Sequence, residues 1–134
     1  MKLSTVRRAG NGTESHEHVD ICNPSAEDIE AAIRLLDGKS YTLIVLNKGD
    51  DDVFYVGGGK DGKYLVSASP SLSEPSYQLI DCNAPSGPPF WLEVGDDSKE
   101  LEPAEVVSLE DALREALHYV RTGRLSPNPN WLPS

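Results

Sequence analysis

The glycine-rich stretch Gly57-Gly58-Gly59-Lys60 is the first place in this chain that invites a chemical reading, because glycine and lysine together build phosphate-binding loops. Such a loop needs the GxxxxGK[ST] spacing and must hand the phosphate to a helix N-terminus. Here strand-like runs lie on both sides of the glycines, so the stretch reads as a hairpin turn with left-handed backbone. His16 and His18 flank Glu17 in a pattern found in metal sites, but no further Cys or His stands close by in the sequence to complete a ligand set. There is no GxSxG motif, and neither Cys22 nor Cys82 has a neighbouring histidine to activate it. His118 falls off the apolar stripe of a helix, where a solvated or capping role is expected. The 22 Asp and Glu residues fall mostly in turns, where Asp forms local hydrogen bonds, and none has calcium-loop spacing. The residue types therefore assign no catalytic group, no metal and no cofactor, and the chain reads as something other than an enzyme.

Charge and size narrow the classes further. A net charge of −10 argues against nucleic acid as a direct ligand, since phosphates need Lys and Arg to displace their counterions. The same charge suits a basic partner, or plain solubility. At 134 residues the chain is expected to form one domain with a real core. No run of about 18 apolar residues is present to cross a bilayer, and the first residues lack the apolar segment of a secretion signal. A cytoplasmic protein is expected. In that reducing setting Cys22 and Cys82 read as small buried side chains at the ends of apolar runs rather than as a disulfide.

The elements that must position these groups follow from periodicity. Residues 1–17 are polar and read as a flexible N-terminal arm with a short strand at 3–7, leaving 18–134 as a single domain. Asn23-Pro24-Ser25 opens a helix with Glu27 and Asp28 in its first turn, and Ile29, Ala32, Ile33 and Leu36 mark one apolar face before Gly38. Strands are expected at 41–46, 53–56, 63–68, 77–81 and 90–94, with a short edge piece at 104–107. Ser108 with Asp111 starts a second helix whose stripe is Leu109, Ala112, Leu113, Ala116, Leu117 and Val120, ending at Gly123. Pro127 and Pro129 forbid further helix, so the tail is expected to cross the body with Trp131 as its anchor. The expected fold class is α+β: an antiparallel meander of about five strands with both amphipathic helices on one face. In such a meander the turn at Asp50-Asp51-Asp52, the loop holding Glu74 and the turn at Asp96-Asp97 would share one acidic end.

In order along the chain, Asn23-Pro24-Ser25, Leu36-Asp37-Gly38, Leu43-Ile44-Val45-Leu46, Tyr55-Val56-Gly57-Gly58-Gly59, Tyr64-Leu65-Val66, the run 107–113, the run 119–124 and Trp131 make a pattern. It resembles the DddI-like immunity proteins of bacterial polymorphic toxin systems, over roughly residues 20–132. The stretch Ser126-Pro127-Asn128-Pro129 looks like an insertion relative to that pattern. The resemblance implies a cytoplasmic antidote that binds one-to-one and inhibits a cognate toxin domain, often a nucleic-acid cytosine deaminase, with no direct contact to nucleic acid or membrane. Charge and topology then nominate Asp50, Asp51, Asp52, Asp96 and Asp97 for charge pairing, and Tyr55 and Trp91 as apolar anchors. Two other classes compete. One is a small-ligand-binding or regulatory domain with an aromatic-lined sheet pocket; the other is a hydrolase using scattered Asp and His.

Overall fold

A computed structural model describes residues 1–8, 16–49, 51–70, 76–95 and 97–133. The elements run β1 (Lys2–Arg8), β2 (His16–Cys22), α1 (Ala26–Leu35), β3 (Tyr41–Asn47), β4 (Val53–Gly58), β5 (Tyr64–Ser69), β6 (Tyr77–Leu79), β7 (Phe90–Val94), β8 (Asp97–Leu101), α2 (Leu109–Thr122) and β9 (Trp131–Pro133). Seven strands form an antiparallel sheet in the order β2-β1-β3-β4-β5-β6-β9, and β7 pairs only with β8. The α+β class with two helices on an antiparallel sheet is as the periodicity indicates.

Both helices bury their apolar faces in one core. Ile29, Ala32, Ile33 and Leu36 from the α1 region meet Ala112, Ala116 and Tyr119 of α2 over Leu3, Ile44, Leu46, Phe54, Val56 and Val66 of the sheet. Helix α1 starts at a full capping box: the Asp28 amide donates to Ser25 Oγ at 3.1 Å and the Ser25 amide to Asp28 Oδ2 at 2.9 Å. Ser25 is thus the cap, and Pro24 precedes it. Ser108 caps α2 through the Asp111 amide, and Gly123 ends it in the left-handed conformation.

Several expectations are corrected. Lys2–Arg8 contains the short strand expected at 3–7, but it is an interior strand between β2 and β3 and not part of an arm. Its alternation is faint in sequence because the buried face, Leu3 and Thr5, includes a polar residue, and Val6 of the opposite parity is buried as well. The strand at 90–94 does not join the sheet. The place beside β6 is taken by β9, so the proline-rich tail supplies the seventh strand, with Leu79 opposite Trp131. Cys22 and Cys82 are exposed and free, not buried.

The β7–β8 hairpin packs instead on the sheet face away from the helices. Leu92, Val94 and Leu101 bury against Leu65 and Val106, flanked by Leu43 and Phe90. This approach explains the glycine run. A Cβ on Gly57 would lie 2.5 Å from Val94 Cγ1, one on Gly58 2.9 Å from Leu92 Cδ1, and one on Gly59 2.3 Å from the Leu36 carbonyl oxygen. The run is a seat for the hairpin and for the end of α1, not a phosphate cradle.

The centre of the buried face of α2 lies one position round from the expected stripe, because Glu115 and Tyr119 are buried while Leu109, Leu113, Leu117 and Val120 are partly so. Glu115 is 2% exposed. Its carboxylate accepts from Trp131 Nε1 at 3.2 Å, from Asn128 Nδ2 at 3.0 Å and from Ser126 Oγ, with Arg114 Nε 3.8 Å away. Three donors from the tail thus satisfy a single buried acid.

Two outcomes follow for stability in denaturant. Glu115→Ala strands these donors and lowers unfolding free energy by about 3 kcal/mol. Gly57→Ala costs about 2 kcal/mol, and the double variant with Val94→Ala loses about 1 kcal/mol less than the sum of its parts, because the clashing methyl is gone.

Candidate partner-binding surface

The hairpin's outward face is the most exposed acidic and aromatic surface that the fold builds from the nominated residues. Strand parity sets it up. Leu92 and Val94 point to the sheet, so Trp91 and Glu93 point away, as do Ser98 and Glu100 on β8. Trp91 stands opposite Glu100, and Glu93 opposite Ser98. Trp91 is 59% exposed, an unusual placement for the largest apolar side chain. Asp97 begins β8 opposite Val94 and is exposed. Over residues 93–100 the sequence carries Glu93, Asp96, Asp97 and Glu100 against Lys99. Lys63 sits with its Nζ 4.8 Å above the Phe90 ring, tying the hairpin base to the sheet.

The nominated residues do not form one end. Thr42 Oγ1 donates to the Gly95 carbonyl at 3.1 Å, which fixes the hairpin tip over the start of β3. The turn containing Asp51 and Asp52 lies past the other end, where Asn47 pairs with Val53. Five residues of strand, about 17 Å, separate the two. The single acidic end expected from a five-strand meander is therefore replaced by two separated acidic turns, because β7 leaves the sheet plane. Asp50, Asp96 and Glu74 lie outside the described residues, as do the side chains of His16, Glu17 and His18.

The remaining nominees have distinct environments. Asp51 is exposed. Asp52 is half-buried and engaged: its Oδ1 accepts from the Tyr119 hydroxyl at 2.6 Å and its carbonyl from the Lys48 amide at 2.8 Å. Tyr55 sits half-buried at the middle of the sheet face away from the helices, between Val45 and Ser67.

A cleft of about 530 Å³ opens beside the C-terminus of α2, lined among others by Lys48, Asp52, Tyr77, Tyr119, Arg124 and Trp131. Phe54 stacks on Tyr119 with ring centroids 5.0 Å apart and meets Trp131 edge-on at 5.9 Å, so two of these aromatics are firmly seated. Burial, and then the Asp52 carboxylate facing it, push the Tyr119 phenol far above the usual tyrosine range. Sequence periodicity did not single out this cleft, because its lining converges from four separate elements. Among the described residues no group of His, Cys, Asp and Glu is arranged to hold a metal ion, and no helix is long and apolar enough to cross a membrane.

Comparison with family models, with curated proteins and with solved structures finds no match to this chain.

The Tyr119 environment predicts an alkaline instability. A phenol whose native pKa is raised stabilises the fold fully below the unfolded value near 10, and that stability drains as pH climbs toward the native value. Above about pH 10 unfolding free energy falls by about 1.4 kcal/mol per pH unit for this one group, and Tyr119→Phe removes that part of the slope. Tyr64, raised through burial, contributes in the same direction and remains in the variant.

Proposed function

We propose that this chain is an immunity protein: it binds a cognate toxin domain one-to-one in the cytoplasm and blocks it, and the toxin is a nucleic-acid cytosine deaminase of the kind the sequence resemblance implies. The observation that carries the reading is Trp91, 59% exposed on a rigidly seated hairpin whose outward face also bears Glu93 and Glu100. A deaminase that works on nucleic acid must present a cationic groove for phosphates and a pocket for an extruded base. A protruding acidic hairpin with an aromatic side chain has the complementary shape and charge: its carboxylates replace phosphates, and the indole occupies an apolar or base-binding recess. The net charge of −10 adds long-range attraction, which speeds association more than it tightens binding.

The cleft beside α2 favours a second reading, a small-ligand-binding domain, since about 530 Å³ with seated aromatics, Lys48 and Arg124 is within the size of ligand sites.

Titration calorimetry against the C-terminal domain encoded by the adjacent gene separates the two. The immunity reading expects tight stoichiometric binding with loss of deaminase activity. Trp91→Ala then weakens binding by about thirtyfold, and Glu100→Lys weakens it with a reduced salt dependence. Asp51→Lys, at the far turn, stays within about threefold of the wild type. Absence of binding to the folded toxin domain discards the reading. Saturable binding of an aromatic carboxylate such as 1-naphthoate, weakened by Lys48→Ala, would then put the ligand-binding domain first.

A further inference from the structure

The two edges of the seven-stranded sheet are unlike. On one side the sheet ends in β9, three residues long and closed by Pro133, which has no amide hydrogen to offer. On the other it ends in β2, seven residues long, matched along its whole length to β1 without a register shift. Among the described residues its outer edge has no backbone partner. Proteins protect such edges with proline, lysine, bulges or short strands. Strand β2, His16-Glu17-His18-Val19-Asp20-Ile21-Cys22, is long and carries no proline, lysine or bulge, and its only fully charged residues are Glu17 and Asp20. Val19 at its midpoint is 56% exposed, whereas Ile21 on the same face packs against the core.

We propose that two copies of this chain associate through β2, pairing antiparallel about a two-fold axis at Val19. Strand chemistry restricts the register. Residues directly opposite each other in an antiparallel pair belong to the same hydrogen-bonding class, so the axis must pass through a residue and not between two. An axis at Glu17 or Asp20 sets like carboxylates face to face, which is destabilising. An axis at His18 leaves Ile21 and Cys22 unpaired, and one at Ile21 pairs only three residues of the strand. The axis at Val19 uses all seven residues of β2. It places Asp20 of each copy opposite His18 of the other, Glu17 opposite Ile21 and Val19 opposite itself. The result is one continuous sheet across both copies, with the exposed valines covered at its centre. Closed two-fold association is the commonest form of self-assembly, and here it removes the unguarded edge. The inference does not depend on the toxin-binding reading, since β2 and the β7–β8 hairpin are different surfaces.

Sedimentation equilibrium and register-specific crosslinking test it on the full chain. In a Cys22→Ser, Cys82→Ser background, Val19→Cys brings two thiols together with Cα atoms about 5 Å apart, within disulfide reach. Mild oxidation is expected to link this variant at least about tenfold faster than Leu132→Cys at the opposite edge. Wild-type protein is expected to move from monomer to dimer mass with concentration. Val19→Lys, which sets two lysines face to face, weakens the dimer at least about tenfold while leaving the circular dichroism spectrum unchanged. A wild-type chain that stays monomeric at its highest soluble concentration overturns the proposal. So does a dimer that persists in Val19→Lys, or one that links through residue 132 in preference to residue 19.

Discussion

A carboxylate in a protein core must be answered, and the answer organises the second half of this chain. Glu115 is the one acidic or basic side chain buried among the described residues. It sits on the sheet-facing side of α2, where an apolar residue would ordinarily be expected. Its partners are Ser126, Asn128 and Trp131, all in the tail. Those hydrogen bonds bring Trp131 against Phe54 and deliver the last residues to the open edge of β6. With that edge occupied, the segment at Phe90–Val94 does not pair beside β6 and forms its own hairpin with β8 on the opposite face. One buried charge thus ties the tail to α2 beside the edge that β9 occupies.

The two sheet faces divide the labour accordingly. One is covered by the helices over its centre, with Phe54, Val56 and Val66 fully buried there. The other is only partly covered, and the hairpin seated on Gly57 and Gly58 is its main cover. Glycine does two jobs at that point: it lets a strand lie directly on backbone, and it leaves no room for the hairpin to shift without losing contacts between Val94 or Leu92 and the sheet. A surface meant to dock with a partner gains from such seating, because an anchor held in place loses less entropy on binding.

Much of the scaffold was legible because local rules decide it. Both helix starts, the glycine stop of α2 and the core strands 41–46, 53–56 and 63–68 follow from capping chemistry and period-two patterning. Strand β1 was only partly legible, since its buried face pairs Leu3 with the polar Thr5 while Val6 of the opposite parity is buried too, which blurs the alternation. Glu115 and Tyr119 were missed as core positions because their polar groups argue for solvent until tail donors and Asp52 are placed beside them. Of the nominated surface residues, Trp91, Asp51 and Asp97 are exposed, while Asp52 is consumed by Tyr119.

What the sequence alone determined was therefore the class of elements: two capped amphipathic helices, β-rich runs with turn residues between them, and a strongly acidic chain. These depend on interactions within a few residues or on composition, which are written directly in the order of the amino acids. Tertiary structure decided which strands share a sheet, which side of Trp91 meets solvent, and that the acidic turns lie apart. Those outcomes rest on competition for a sheet edge and on a buried charge finding donors 11 to 16 residues away. Neither is visible until the chain closes on itself.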